Sequence, residues 1–183
     1  MGKTAKKETM PEGRNGVALL IIDVQKELFD KSTPIYRQDV LLQNINTLVD
    51  RAHLAGVPVF YVQHSAENHL VYGSEGWELH SQMCPLDIDG HVYKKHGSAF
   101  EETDLGKELE RRNVGRLVVT GLVTHGCVKS TGLDALRLGY QVTLVSDGHS
   151  SFSKDAATLI GDWNGKLQKA GARLQTAAEI DFH

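Results

Sequence analysis

The sequence predicts an α/β fold built on a parallel sheet with helices on both faces. Unbroken apolar runs such as Val17-Ala18-Leu19-Leu20-Ile21-Ile22 lack polar alternation and read as strands covered on both sides. Segments with apolar residues at helical spacing lie between such runs. The two kinds of segment alternate, and strand–helix–strand alternation implies right-handed crossovers and parallel pairing. A chain of 183 residues suits one domain. The expected organisation is a mobile polar tail over 1–16 and a single domain over 17–183.

Taken in order, the first strand ends at Asp23, a carboxylate placed where open α/β sheets hold their ligands. Judged by itself, Asp23 reads equally as a turn or capping acid. From Asp39 to Ala55, the residues Leu41, Ile45, Leu48, Val49 and Ala52 mark an amphipathic helix that Gly56 and Pro58 close. Val57 to Val62 is the second strand, leading into Gln63-His64. Residues 65–90 lack periodicity and contain Gly73, Gly76 and Pro85, so they read as a long loop. Trp77 within it is either a substrate-facing aromatic or a packing anchor.

His91 to Lys94 is a short strand, and Thr103 is placed to cap a helix bearing Leu105 and Leu109. Lys94, at that strand's end, reads by itself as a solvated surface charge. Leu117 to Val119 is the next strand, bounded by Gly121, and the helical segment Val128 to Leu138 follows, stopping at Gly139. Cys127 thus lies at a predicted helix N-terminus, where unpaired N–H groups and the helix dipole favour a thiolate. The alternative is a buried free cysteine. Gln141 to Val145, ending at Ser146-Asp147, is a further strand. Ser153 opens a helix with Ala156, Leu159, Ile160, Trp163 and Leu167 inward, and Ala172 to Leu174 is a last short strand.

Composition excludes several function classes. Hydrophobic content of 40% and charged content of 23% are ordinary for globular chains. A formal net charge of -3 leaves no basic footprint for nucleic acid, and no apolar window reaches the ~18 residues of a membrane span. Cys84 and Cys127 are too few for a disulfide framework, so a reducing cytoplasm is the expected compartment. No cysteine or histidine spacing matches a structural zinc site or HExxH, and no metal or other cofactor is expected.

Three blocks together resemble the isochorismatase-like cysteine hydrolases: Leu20-Ile21-Ile22-Asp23-Val24-Gln25, Val92-Tyr93-Lys94 with Ser98-Ala99-Phe100 and Thr103-Asp104-Leu105, and Gly121 to Val128. The likeness extends from Val17 to about Ile180. It implies a Rossmann-like three-layer α/β/α fold with a six-stranded sheet, a homo-oligomer (dimer or tetramer), and a catalytic triad at Asp23, Lys94 and Cys127. It further implies a cis peptide between Leu122 and Val123, with the amides of Val123 and Cys127 forming an oxyanion hole. Nicotinamidases of that superfamily hold a metal through an Asp-x-His motif after the second strand. Here Val62 stands two residues before His64, so the resemblance implies no metal site.

The chemistry expected on this reading is metal-independent hydrolysis of a small amide, carbamoyl or cyclic amide C–N bond through a Cys127 thioester. Lys94 would favour thiolate and Asp23 would accept the thiol proton. Gln63, Trp77, Leu122, Val123 and Phe152 are the expected contacts to a small-molecule substrate. Two alternatives stand beside it. One is an isochorismatase-type enol-ether hydrolase using Asp23 without a thiol; the other is a catalytically silent binding member of the fold.

Overall fold

The computed structural model describes residues 13–182. Six strands form one all-parallel sheet in the order β3-β2-β1-β4-β5-β6. They are β1 (Gly16–Ile22), β2 (Val59–His64), β3 (Gly90–Lys94), β4 (Val114–Leu122), β5 (Gln141–Ser150) and β6 (Arg173–Gln175). The helices are α1 (Lys26–Phe29), α2 (Gln38–Leu54), α3 (Leu105–Arg111), α4 (Lys129–Arg137) and α5 (Ala156–Lys169). Most of the expected tail, residues 1–12, lies outside the described residues. Gly16 already belongs to β1, and Arg14 pairs with Glu110.

Period-two alternation sorts the core into two layers. Leu19, Ile21, Tyr61 and Val118 face α2, meeting Leu41, Ile45, Leu48 and Ala52. Leu20, Ile22, Phe60, Val62 and Val119 face the other way, meeting Leu105 and Leu109 of α3, Ala135 of α4 and Leu167 of α5. Burial on both faces explains why these strands read as continuous apolar runs. No helix among the described residues is long and apolar enough to cross a membrane.

The chain turns back at β1. Strands β2 and β3 extend the sheet to one side of it and β4 to β6 to the other, so the reversal of strand order lies between β1 and β4. A crevice opens there at the carboxyl ends of the strands. The close approach of the two strands requires Gly121: a Cβ at that position would lie 2.1 Å from the Ile22 carbonyl oxygen, and its φ is +113°.

Several expectations change in detail. β5 continues beyond Ser146-Asp147 to Ser150, because Val119 pairs with Leu144 and Gly121 with His149, leaving extra residues of β5 in a bulge. The residue flanking α3 is Asp104, which makes no side-chain cap; Thr103 Oγ1 receives the Leu105 N–H one residue earlier. Only Ala156 and Leu167 of α5 are fully buried. Trp163 is half-buried between the ammonium groups of Lys129 and Lys166. The helix expected from Val128 starts at Lys129. It follows a π-helical turn, Thr124–Val128, broken by non-helical torsions at Gly126.

Candidate active site

Asp23, Lys94 and Cys127 come together in the crevice from three separate elements. Asp23 follows β1 with φ +50°, a left-handed conformation that aspartate tolerates better than most residues, and its N–H donates to the Val62 carbonyl. Lys94 ends edge strand β3, two strands away, and its long side chain crosses the end of β2. Cys127 lies in the π-helical turn that leaves β4.

The Lys94 side chain has no solvent exposure and that of Asp23 only 3%. Lys94 Nζ lies 2.8 Å from Asp23 Oδ2, 3.1 Å from Cys127 Sγ, 3.1 Å from His64 Nδ1 and 3.2 Å from the His96 carbonyl oxygen. Four acceptors share three N–H bonds, so the ammonium is fully engaged. A surface-charge reading of Lys94 is therefore overturned. Asp23 Oδ1 is the single buried side-chain polar atom without a hydrogen-bond partner among the described residues. An orphaned carboxylate oxygen in so buried a site is costly and marks a position for a proton or a ligand.

The thiol differs from expectation. Burial pushes the Cys127 pKa up to about 12, and the Asp23 carboxylate adds to the rise while Lys94 opposes it. Burial first and the Asp23 carboxylate second thus favour the neutral thiol over the thiolate expected at a helix terminus. The peptide between Leu122 and Val123 is cis, as the resemblance implied.

The other expected site residues fall into two groups. Trp77, Val123 and Phe152 are partly buried and pack at the margin of the α2-side core. Trp77 Nε1 donates to Ser65 Oγ at 2.9 Å, and its ring contacts Tyr72 and Tyr93. Leu122 is wholly buried within that core, and Gln63, 3% exposed, donates its amide N–H to the Trp77 carbonyl at 3.0 Å. The structure thus gives Leu122 a packing role and Gln63 a role in holding the 65–90 loop. A cavity of about 540 Å³ opens at the opposite end of the sheet, lined by Val17, Arg116, Gln141 and Arg173, and contains none of these residues.

Two residues not among the expected site residues belong to the cluster. His64 contacts Lys94, and burial followed by the Lys94 charge lowers its pKa, favouring neutral imidazole. Gln25, fully buried, receives the His64 N–H and donates to the His64 and Trp77 carbonyls, tying the loop to the ends of β1 and β2. Their signal was position: both lie at strand ends beside the crevice.

Donor atoms of Asp23, His64 and Cys127 lie within 4.8 Å of one another, a spacing that can surround a cation. The Lys94 ammonium sits among them, bonded to all three. A metal ion would have to displace a buried positive charge, and the Asp-x-His pair is lacking, so these residues do not fit one.

Comparison with known proteins supplies the lineage of this arrangement. The isochorismatase domain family matches residues 17–179. A streptothricin hydrolase from Streptomyces noursei is 32% identical over 147 residues, covering 79% of this chain but 53% of the relative, so the chain spans about half of that protein. Nicotinamidase 3 of Arabidopsis thaliana is 28% identical over 182 residues, with 86% of each chain covered. The crystal structure of an isochorismatase from Pseudomonas putida KT2440 superimposes with a TM-score of 0.83 at 25% identity, covering 90% of both chains.

Proposed function

The chain belongs to the isochorismatase family of hydrolases, and from that premise we propose that it is a metal-independent cysteine amidase acting on a small amide, carbamoyl or cyclic amide C–N bond. The observation that carries this reading is the buried, partnerless Asp23 Oδ1 in the cluster with a neutral Cys127 thiol. In the proposed reaction Sγ attacks the carbonyl carbon while the thiol proton passes to Asp23. The carbonyl electron pair moves onto oxygen, where the Val123 and Cys127 amides receive it. Collapse of the adduct breaks the C–N bond as Asp23 returns the proton to the amine, leaving a thioester.

Water then attacks the thioester, losing a proton to Asp23, and expulsion of sulfur with reprotonation restores the thiol. Lys94 hydrogen-bonds Asp23, fixing its position, and steadies sulfur as charge develops on it. His64, as a neutral acceptor for Lys94, orients that ammonium. Trp77, Val123 and Phe152 form an apolar margin for the substrate, and Gln63 sets the position of Trp77. The names of the nicotinamidase and streptothricin hydrolase relatives support hydrolysis as the reaction class. Homo-oligomeric assembly is part of the same proposal. It is supported by exposed Val71, Tyr72 and Tyr93, the two tyrosines packing on Trp77, and is checked by sedimentation.

The deciding experiment is acid quenching during turnover of an amide found by an ammonia-release screen. The expected result is an acyl mass increment on the peptide containing Cys127, lost with all turnover in Cys127→Ala. Amide turnover retained by Cys127→Ala would overturn the thioester route, whereas failure of every amide in the screen would favour the enol-ether alternative with Asp23 as proton donor.

A further inference from the structure

Just past the β5 bulge, His149 lies against the turn that holds Cys127. The imidazole is 3% exposed, with Nδ1 2.8 Å from Thr124 Oγ1 and Nε2 2.8 Å from Asn164 Oδ1 of α5. Thr124 is fully buried, opens the nucleophile turn, and places the same Oγ1 3.0 Å from the Ser150 carbonyl oxygen. Three contacts thus run in a line from α5 to the backbone of β5 through the first residue of the turn.

Counting protons gives the line a direction. Desolvation lowers the His149 pKa to about 4, so the ring is neutral at working pH and carries one N–H. With Asn164 Oδ1 facing Nε2, that proton must sit on Nε2. Nδ1 then requires the Thr124 hydroxyl proton, and the Ser150 carbonyl loses its donor. A half-turn of the Asn164 amide removes the conflict: Asn164 N–H donates to Nε2, Nδ1–H donates to Thr124 Oγ1, and Thr124 O–H donates to the Ser150 carbonyl. Asn164 Nδ2 makes no other hydrogen bond among the described residues, so the half-turn sacrifices none. Asp147 of β5 and Arg37 line a small cavity with His149, and the Asp147 charge opposes the fall in its pKa.

We propose that His149 is a positioning residue for the nucleophile, acting as the Nδ1–H tautomer in a one-way relay from Asn164 through Thr124 to Ser150 that pins the Cys127 turn. The fold thereby fixes the turn from below through side chains, leaving its upper surface to the substrate. The activity readout rests on the amidase reading; the structural readouts do not.

The test uses the full chain labelled with 15N. Two-bond ¹H–¹⁵N correlation at neutral pH is expected to show His149 protonated on Nδ1. Asn164→Asp presents only acceptors to Nε2, so the proton should move to Nε2 and the Thr124 hydroxyl should swing toward Nδ1. Loosening the turn should change the iodoacetamide rate at Cys127 and lower kcat by about tenfold with little change in KM, because misplacing a reacting group by 1 Å can cost up to ~100-fold. Thr124→Val should behave similarly, and Thr124→Ser should restore the wild-type values. An Nε2–H tautomer in the wild type, or an Asn164→Asp protein with unchanged Cys127 alkylation, overturns the proposal. Loss of the amidase reading alone would leave the tautomer and alkylation results standing.

Discussion

At the scale of single residues, the site is an ion pair and a thiol that constrain one another. The neutral Cys127 predicts a distinctive alkylation profile. As pH rises toward a pKa near 12 the thiolate fraction grows, so in a Cys84→Ser background the rate should climb through pH 9 without a plateau below it. A plateau below pH 8.5 would show a preformed thiolate and contradict the geometry. Lys94→Met tests the partner. It strands the buried Asp23 carboxylate and removes the charge that favours thiolate, so alkylation should slow and stability should fall by about 3–5 kcal/mol in denaturant titration. Asp23→Asn retains the shape and should abolish turnover while leaving Cys127 as a free, alkylatable thiol, since an amide cannot carry the proton.

At the scale of elements, the crevice depends on how closely β1 and β4 approach. Gly121→Ala would drive a methyl group into the Ile22 carbonyl at a φ that side chains rarely adopt. Thermal and chemical denaturation should therefore show a loss of roughly 3 kcal/mol or more, one of the large effects expected where backbone strain and overpacking coincide. Gly106→Ala is the control, because nothing lies within 4 Å of its would-be Cβ in the first turn of α3. That substitution should be neutral or slightly stabilising in a helix.

At the scale of the whole molecule, pH acts on stability through the buried histidine. His149 titrates near 6.5 when unfolded and near 4 when folded, so the unfolded chain binds the extra proton first as pH falls. Stability is complete above about pH 6.5 and declines between 6.5 and 4, by about 3 kcal/mol for this group given ~1.4 kcal/mol per pKa unit. His64 and His80, also lowered by burial, add loss of the same sign. Melting curves across that range should show the decline, and His149→Gln should flatten part of it. Exhaustive chelation should leave activity intact, because Lys94 holds the place a cation would need. Loss of turnover restored by zinc or iron would sink that prediction.

Local pattern was enough for the architecture. Apolar runs such as Val17–Ile22 and the periodic stretch from Leu41 to Ala52 are short-range consequences of burial on two faces of a sheet or one face of a helix, so α/β alternation was legible in the chain. The three blocks carrying Asp23, Lys94 and Cys127 were legible too, although only folding showed that they meet. Tertiary structure decided what spacing cannot encode: the polar extension of β5 to His149 and Ser150, the π-helical turn that carries Cys127, and the engagement of His64 and Gln25. It also opposes the expected lowering of the thiol's pKa. Proximity in sequence to a helix start favours a thiolate, whereas the pKa depends on desolvation and on a carboxylate delivered from another strand, and both exist only once the chain has folded.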